Sequence, residues 1–310
     1  MKKHVSGFTG RVLMIRPYQF HKNEQTAQNN YYQKDADYSS VDRLTRAAQD
    51  EFDGLVQVIR RVGVEVVVHE DTNEFVTPDS LFPNNWVSFH PHNEVVLYPM
   101  YAKNRRKERH PSVWDSLAKA GVSIKVKQDY SPFEQEGVFL EGTGSMVLDR
   151  AQRIAYAALS ERTDPKLFVR FCADHGYEAH SFRANQTVGG RRLPIYHTNV
   201  MMSIGPSFAI VGLDTIDDNE ERLSLIEKLE KSGKTIISLT EEQIERFAGN
   251  MLTLLGSEGP VLVMSSSAFN ALNDNQKARL EKHAQLVHSP LDTIERCGGG
   301  SARCMLAEIF

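Results

Sequence analysis

Cys304 is the residue of this chain best suited to covalent chemistry. It follows three consecutive glycines in the string CGGGSARC, which begins at Cys297. Glycine permits backbone conformations and close approaches that other residues forbid, so this loop can expose a thiol with free amide groups beside it. Such amides favour the thiolate, which is the reactive form of cysteine. The alternative is a flexible turn before a buried terminal strand, with Cys304 as a small hydrophobic residue. The residues alone leave both interpretations open.

A nucleophilic cysteine needs a proton carrier and a group that orients the substrate. His197 stands at the start of the apolar strand NVMMSI, and Glu141 precedes Gly-Thr-Gly, whose small residues leave its carboxylate room to meet a ligand. Judged singly, each residue also has a structural explanation. His197 can be a half-buried, hydrogen-bonded histidine, and Glu141 can be a glutamate that caps a turn. The remaining cysteines, Cys172 on an apolar helix face and Cys297 before the glycines, are interpreted as structural.

Polar residues that open apolar strands recur along the chain at intervals of about 55 residues. Four of them begin a stretch with a short apolar strand, a polar turn and a second apolar strand, which is the pattern of a β-hairpin. The fifth precedes the last strand. The five residues are Asn84, Glu141, His197, Asn250 and Cys304. If the units are equivalent, the glutamate, histidine and cysteine converge at one place, which favours catalysis.

Between the hairpins the apolar period changes from two to about 3.6 residues, which predicts a helix in each unit. The last strand, within MLAEIF, can pair with RVLMIRP near the N-terminus. The sequence therefore predicts an α/β protein with a ring of five ββαβ units in a single domain over residues 1–310. A mixed α/β sandwich with a coincidental period is the alternative. The expected helix faces are Leu44, Ala48, Phe52, Leu55 and Ile59; Trp114, Leu117 and Ala118; Leu167, Phe168 and Phe171; and Leu223, Ile226 and Leu229.

Composition excludes several classes of function. The 310 residues are 41% hydrophobic and 25% charged, as in ordinary globular proteins. Lysine and arginine number 36 against 40 aspartates and glutamates, so no basic excess exists to bind a nucleic-acid backbone. No apolar stretch approaches the roughly 18–20 residues that span a bilayer, and the start of the chain is no secretory signal. We therefore expect a cytoplasmic protein without a nucleic-acid or membrane partner, and a homo-oligomer is left open.

Histidine, cysteine and glutamate also bind metals, but the strings typical of metal sites are missing from the sequence. There is no CxxC and no HExxH, and His90-Pro91-His92 lies in a predicted hairpin turn without nearby ligands. Neither the dinucleotide-binding string GxGxxG nor a P-loop occurs. The sequence predicts neither a metal nor a cofactor.

Taken together, these motifs resemble the guanidino-group-modifying superfamily of arginine deiminases, dimethylarginine dimethylaminohydrolases and amidinotransferases. The resemblance covers essentially the whole chain and implies a five-bladed pseudo-symmetric α/β propeller (pentein). It also implies Cys304 as the nucleophile, His197 as the general acid/base, and Glu141, in LEGTGS, as the family's catalytic glutamate. The strings most similar to the bacterial citrulline-utilisation hydrolase branch are FPNNWVSFH, LYPM, NRRKER, FLEGTGSMVLDR, HTNVMM and GGGSARCMLAE.

The same resemblance implies the substrate-binding residues. The string PDSLFPNN from Pro78 is similar to Pro-Asp-x-x-Phe-x-Glu-Asp of the dimethylaminohydrolases. The string SERT from Ser160 resembles Ser-x-Arg-Thr, whose arginine binds the substrate α-carboxylate, and Asn104-Arg105-Arg106 resembles a second carboxylate-binding element. The implied substrate-binding residues are Asp79, Asn84, Asn85, Arg105, Arg162 and Asn199. Asn250, the fourth of the recurring polar residues, is added to them without an assigned role.

Two departures from the family pattern bear on the substrate. Deiminases and dimethylaminohydrolases carry an aspartate at the position of Asn85, which accepts two hydrogen bonds from a guanidinium, and deiminases carry another at Asn199. An amide lacks the charge for such strong pairing, but it can both donate and accept, as a neutral ureido group requires. We therefore expect a hydrolase that acts on a non-peptide C–N bond of L-citrulline and gives ornithine, ammonia and carbon dioxide through a thiocarbamoyl-cysteine.

Other activities remain as alternatives. Succinylarginine dihydrolases also carry an asparagine in this region, yet they begin from a guanidinium. An arginine deiminase or dihydrolase, or a dimethylarginine dimethylaminohydrolase, is therefore the first alternative, with an arginine-like amino acid as substrate. An amidinotransferase follows. A propeller that binds an amino acid without turnover is a different class, and it would have no use for a thiolate.

Overall fold

The computed structural model describes residues 7–35 and 40–310, so the first residues, where no secretory signal was expected, lie outside it. None of the helices in these two ranges is long and apolar enough to cross a membrane. The strands are β1 (Arg11–Arg16), β2 (Glu65–Glu70), β3 (Val87–His90), β4 (Glu94–Leu97), β5 (Lys125–Asp129), β6 (Val147–Asp149), β7 (Ile154–Ala158), β8 (Glu178–Phe182), β9 (Asn185–Val188), β10 (Arg191–Pro194), β11 (Met202–Ile204), β12 (Phe208–Val211), β13 (Thr235–Ser238), β14 (Leu252–Leu255), β15 (Pro260–Ser265), β16 (Gln285–Ser289) and β17 (Ala307–Glu308). The helices are α1 (Val41–Arg61), α2 (Pro111–Lys119), α3 (Gly142–Ser145), α4 (Pro165–His175), α5 (Thr198–Met201), α6 (Asn219–Lys231), α7 (Glu241–Glu245), α8 (Ser266–Ala271), α9 (Asp274–Glu281) and α10 (Asp292–Gly298).

Five three-stranded sheets repeat one topology. In each sheet the first two strands are antiparallel, and the third runs parallel to the second after at least one helix. The helix is needed because a parallel neighbour requires the chain to cross back over the sheet. The predicted ββαβ unit and the α/β class are confirmed. The sheets are β3-β4-β5, β6-β7-β8, β11-β12-β13, β14-β15-β16 and β17-β1-β2.

The C-terminal strand completes the sheet in which the described chain begins. Val12 pairs with Glu308 and Leu13 with Ala307 in antiparallel register, while β1 runs parallel to β2. The predicted pairing of the two chain ends is confirmed, although the strand is shorter than the apolar string suggested. Because Cys304 lies three residues before the start of β17, this pairing fixes the thiol relative to the N-terminal sheet.

The helix faces follow the apolar period with exceptions in α2 and α6. In α2 Leu117 is buried and Trp114 is partly buried, but the prediction is wrong for Ala118, which is exposed. In α1 all five expected residues are buried, and the side chain of Ser40 caps the helix by accepting from the Arg43 N–H. In α6 the prediction is wrong for Leu223, which is 56% exposed, whereas Leu225 and Leu229 are buried. Residues four apart share one face of a helix, so the buried face of α6 runs through Leu225 rather than Leu223.

A hairpin of β9 and β10 lies outside the five sheets and was not predicted. Its turn is Gly189-Gly190, and both glycines have positive φ angles, of 55° and 76°. Two residues with positive φ form the turn that matches the twist of a hairpin, and glycine adopts it without steric cost. The Gly-Gly pair was therefore the available signal.

Candidate active site

The polar residues that recur in the sequence occupy equivalent places in the fold. Each lies in or beside a short turn or helix that leads into the first strand of its sheet: Asn84 and Asn85 before β3, Glu141 before β6, His197 before β11, Asn250 before β14 and Cys304 before β17. Glu141 and His197 are the N-cap residues of α3 and α5. All six residues are buried. The repeated unit therefore brings polar groups from distant parts of the chain to equivalent strand ends.

Glu141 and His197 form a buried pair. The Nε2 atom of His197 lies 2.8 Å from Oε2 of Glu141, and Oε1 of Glu141 accepts from the Tyr101 N–H at 2.9 Å. Burial raises the pKa of Glu141, but the charge of Arg162 and the bond from His197 outweigh it and bring the pKa to about 2. Burial lowers the pKa of His197 to about 4, against the opposing effect of Glu141. The imidazole is thus neutral at physiological pH with its proton on Nε2, because an ionised carboxylate can only accept. Its Nδ1 is left as a proton acceptor.

Gly144 leaves the space that this imidazole occupies. A Cβ atom at position 144 would lie 2.5 Å from Nδ2 of Asn85 and 2.8 Å from Nδ1 of His197. We expect Gly144→Ala to displace both side chains and to lower kcat/KM by about 100-fold, as misplacements near 1 Å do in active sites. The melting temperature should change little by comparison.

Gly54→Ala is the matched control for this substitution. Gly54 lies inside α1, and a Cβ atom there would meet only the Ser289 Oγ atom at 3.4 Å. Alanine should stabilise the helix by about 0.4–1 kcal/mol and leave activity unchanged. Full activity of Gly144→Ala in the same steady-state assay would show that the imidazole does not need its observed position.

The thiol of Cys304 is buried among side-chain amides. The sulfur is the acceptor in two contacts, from Nδ2 of Asn250 at 3.3 Å and from Nδ2 of Asn199 at 3.4 Å. Cys304 is only 2% exposed, so the expectation of an exposed thiol is wrong. The other two cysteines are free and buried, and burial raises the pKa of Cys172 to about 12. A thiol of such high pKa is unreactive, in agreement with its structural interpretation.

The three glycines before Cys304 serve close packing. Cβ atoms at Gly298 and Gly300 would each lie 2.9 Å from the Phe82 ring, and Gly299 ends α10 in the left-handed conformation with φ 62°. Their carbonyls also accept hydrogen bonds: Tyr196 Oη donates to the Gly299 carbonyl at 2.5 Å. Only glycine permits this close approach to the Phe82 ring. The loop can therefore hold the thiol inside the protein.

Arg105 holds Asn85 in place. Its guanidinium donates to Oδ1 of Asn85 at 2.7 Å and to both carboxylate oxygens of Glu108 at 2.8 and 2.9 Å. A further bond reaches the carbonyl of Phe82 at 3.2 Å. Because Oδ1 of Asn85 faces this cation, the amide orientation is fixed and Nδ2 is directed elsewhere, to Oδ1 of Asn84 at 2.9 Å. The contact of Arg105 with a substrate carboxylate stays a prediction.

Arg162 links Glu141 to the N-terminal part of the chain. Its Nη1 lies 3.5 Å from Oε2 of Glu141, and its Nε donates to Oδ1 of Asn29 at 2.9 Å. Its Nη2 donates to the Thr26 carbonyl at 2.9 Å. The guanidinium stacks over Tyr196, 4.9 Å from the ring centroid. This cation stabilises the ionised form of Glu141 from within the protein.

A narrow cavity lies between Cys304, His197, Asn85 and the two arginines. Its volume is about 10 Å³, which holds about one water molecule, so a substrate enters only if the walls move. Oδ2 of Asp79 accepts from Asn23 and Thr26, whereas its buried Oδ1 has no partner in the described part of the chain. Asn84, Asn199, Asn250 and Glu141 do not line the cavity themselves. It is lined by Asn30, Asp79, Phe82, Asn85, Arg105, Arg162, Tyr196, His197, Gly298, Gly299, Gly300 and Cys304.

A comparison with models of protein families identifies the family of this chain. A model of the eukaryotic N,N dimethylarginine dimethylhydrolase family matches residues 16–310. The chain belongs to this family. Its resemblance to the guanidino-group-modifying superfamily is thereby confirmed. A comparison with curated proteins finds no significant match.

Solved structures with a similar fold come from the same superfamily. The product-bound N-terminal domain of ArgZ, an arginine dihydrolase from the ornithine-ammonia cycle in cyanobacteria, is 18% identical with a TM-score of 0.73, over 97% of both chains. Unliganded AgrE is 21% identical with a TM-score of 0.72, over 97% of this chain and 39% of AgrE. A dimethylarginine dimethylaminohydrolase variant, as an adduct with S-methyl-L-thiocitrulline, is 13% identical with a TM-score of 0.64, over 97% and 99%. At these identities the likeness establishes the pentein-type α/β fold alone.

In this dimethylarginine dimethylhydrolase family member, residues 23–35 form a covering segment over the cavity that sequence reasoning missed. Asn30 donates to the Gly299 carbonyl at 3.1 Å and Gln33 to the Gly298 carbonyl at 2.9 Å. The segment has no helix or strand, so no apolar period marks it. Its polar run, QNNYYQK, was the available signal. Among residues 7–35 and 40–310, no group of three or more histidine, cysteine, aspartate or glutamate side chains is arranged to hold a metal.

Proposed function

We propose that this protein hydrolyses the terminal C–N bond of the ureido group of L-citrulline or a close analogue, giving ornithine, ammonia and carbon dioxide. The scaffold is a five-bladed α/β propeller formed by residues 1–310 as one domain. The observation that carries the proposal is the neutral lining of the reactive end. Asn85 lines the cavity beside His197, and the amides of Asn199 and Asn250 contact the sulfur of Cys304.

The charges around the cavity favour a neutral reacting group. Two guanidinium groups, Arg105 and Arg162, already line it. Both oxygens of Glu141 are occupied, one by the Tyr101 N–H and the other by His197 and Arg162. A substrate guanidinium would therefore meet two like charges, and the one lining carboxylate oxygen without a partner among the described residues is Oδ1 of Asp79, which is proposed below to bind the amino-acid end. A ureido group carries no charge and can both donate to and accept from an amide.

The reaction proceeds through a covalent intermediate on Cys304. The thiol loses its proton to Nδ1 of His197, and the sulfur attacks the ureido carbon. His197 then protonates the terminal nitrogen, which leaves as ammonia when its bond to carbon breaks, and the ornithine part stays attached as a thiocarbamate. His197 next takes a proton from water, whose oxygen attacks the same carbon and releases the thiolate. The carbamic acid so formed loses carbon dioxide and gives ornithine.

Asp79 and Arg162 are proposed to bind the amino-acid end of the substrate. Oδ1 of Asp79 is a buried carboxylate oxygen without a partner among the described residues, and the side chain lines the cavity. An α-ammonium group would satisfy it. Arg162 would bind the α-carboxylate in exchange for its bond to Asn29 in the covering segment. Binding of substrate would therefore release Asn29 of the covering segment from Arg162.

An arginine dihydrolase is the second candidate. It is favoured by the similarity to ArgZ, described as an arginine dihydrolase, and by the free oxygen of Asp79, which can also pair with a guanidinium. Such an enzyme releases ammonia from arginine and then hydrolyses the ureido product. The name of the family suggests dimethylarginine as another substrate of this kind.

The proposed function is tested by incubating the purified protein separately with citrulline and with arginine and measuring ornithine and ammonia. We expect citrulline to give equal amounts of both products, with a higher kcat/KM than arginine. If arginine is the better substrate and gives two ammonia molecules for each ornithine, the dihydrolase replaces the citrulline hydrolase.

Asn85→Asp tests which residue sets this preference. The new carboxylate keeps the acceptor that Arg105 needs, but it removes the Nδ2 donor proposed to bind the ureido oxygen. A buried mismatch of this kind costs about 1–3 kcal/mol, so kcat/KM for citrulline should fall about 10-fold to 100-fold. The Kd of arginine should decrease through charge-assisted pairing.

Asn84→Asp is the control, because Asn84 is equally buried but does not line the cavity. It should change kcat/KM for citrulline and the Kd of arginine much less. If both ligands bind Asn85→Asp equally weakly, the residue is structural and the selectivity lies elsewhere.

A further inference from the structure

Two side-chain amides donate to the sulfur that is proposed to react. Nδ2 of Asn250 lies 3.3 Å and Nδ2 of Asn199 3.4 Å from Sγ of Cys304, within hydrogen-bond distance for sulfur. All three residues are at most 2% exposed. A buried thiolate would be costly without partners, and two N–H donors are partners that favour the charged form. Both asparagines were predicted among the substrate-binding residues, Asn250 without an assigned role, and in the structure their Nδ2 atoms contact the sulfur of Cys304.

The orientation of Asn250 is fixed by its other contacts. Its Oδ1 accepts from the Arg303 N–H at 3.0 Å, and its Nδ2 also donates to the Asn199 carbonyl at 2.8 Å. A backbone N–H can only donate, so the oxygen must face Arg303 and the amide hydrogens must face the sulfur and the carbonyl. The contact needs Gly249, because a side chain there would collide with the Val200 carbonyl. The amide is therefore built to point at Cys304.

Asn199 has a simpler environment. Its side chain is completely buried, and its Oδ1 has no hydrogen-bond partner in the described part of the chain. It follows His197 by two positions, so the proton acceptor and this donor come from the same short helical turn. Replacing its amide removes the bond to sulfur without leaving another polar group unsatisfied.

We propose that Asn199 and Asn250 are catalytic residues that stabilise the thiolate of Cys304 through two N–H···S hydrogen bonds. This inference rests on the proposed function, since a neutral ureido substrate brings no positive charge to the sulfur and a guanidinium would. The S–H bond breaks, the electron pair stays on sulfur, and the proton passes to Nδ1 of His197. The protein therefore supplies the stabilisation that the substrate does not.

The test is a pH titration of the thiolate by its ultraviolet absorbance, without substrate, with the spectrum of Cys304→Ser subtracted. Asn199→Leu keeps the branched shape and the number of heavy atoms of the side chain and removes one donor. Hydrogen bonds to charged groups are strong enough that the thiolate fraction at neutral pH should fall about 10-fold to 100-fold, with the titration midpoint shifted upward accordingly. Asn250→Ala should act in the same direction, and the acid limb of kcat/KM should move to higher pH in both variants.

Thr253→Val is the control, because its buried hydroxyl in β14 has no hydrogen-bond partner in the described ranges. It should leave the midpoint unchanged. An unchanged midpoint in folded Asn199→Leu overturns the proposal, even if turnover is lost, because the amide then acts on the substrate. If Asn250→Ala does not fold, Asn199→Leu decides alone. The titration contains no substrate, so the shift of the midpoint can appear even if the enzyme prefers arginine. If the enzyme hydrolyses citrulline but the midpoint does not shift, only this inference is refuted.

Discussion

Replacing Cys304 with serine is expected to abolish turnover and to leave the fold intact. The hydroxyl group is close in size to the thiol and can accept from the same two amides. Its pKa, however, is far too high for His197 to generate the anion, so the attacking group is lost. Loss of a nucleophile lowers kcat by about 10⁴-fold or more. The measurement is ornithine formation from citrulline, with the melting temperature and the Kd of citrulline recorded for both proteins.

Cys172→Ala is the control for this experiment. Cys172 is buried in α4 and does not line the cavity. Its loss should lower the stability modestly and leave kcat/KM unchanged. A Cys304→Ser protein with wild-type activity would remove the covalent mechanism, whereas loss of activity in the control would show that stability limits the assay.

Glu141→Gln is expected to have the second largest effect. The carboxylate accepts the Nε2 proton of His197 and so leaves Nδ1 free to take a proton. A glutamine can instead present its amide N–H to Nε2, which moves the imidazole proton to Nδ1 and leaves the ring without a free acceptor nitrogen. Substitutions that impose the wrong tautomer cost about 10⁴-fold in kcat. The substitution also removes the counter-charge of Arg162. We therefore expect a fall in kcat much larger than any change in KM.

Glu134→Gln is the control, because Glu134, like Glu141, accepts from a backbone N–H and pairs with an arginine. Glu134 is 10% exposed in its side chain and pairs with Arg109 at 2.8 Å, away from the cavity. It should keep wild-type kinetics with a slightly lower melting temperature. If Glu141→Gln retains more than a tenth of the wild-type kcat in a folded protein, Glu141 does not control the state of His197.

Much of the scaffold could be predicted because its signals are local. A hairpin followed by an amphipathic helix changes the apolar period from two to 3.6, and the five recurring polar residues mark the start of each unit. The pairing of the chain ends followed from two apolar strings whose pairing would close a ring of units. In α6 the same logic chose the wrong face, because Leu223, Leu225, Ile226 and Leu229 allow two apolar stripes and only packing selects one.

The parts of the site that could not be predicted depend on long-range polar contacts. Arg105 fixes Asn85, and Arg162 joins Glu141 to Asn29, through hydrogen bonds that carry no periodic signal. The covering segment has no regular structure, so its position over the glycine loop could only come from the fold. The resemblance to a family supplied Asn85, Arg105, Glu141 and Arg162, but the partners of each came from the structure.

The most direct test of the central claim is the mass of the Cys304 peptide after reaction with citrulline labelled at the ureido carbon. The protein is mixed with substrate, quenched in acid and digested. We expect a labelled thiocarbamate on Cys304 that forms within one turnover and disappears as ornithine is released. The claim is contradicted if citrulline leaves Cys304 unlabelled while guanidino-labelled arginine modifies it.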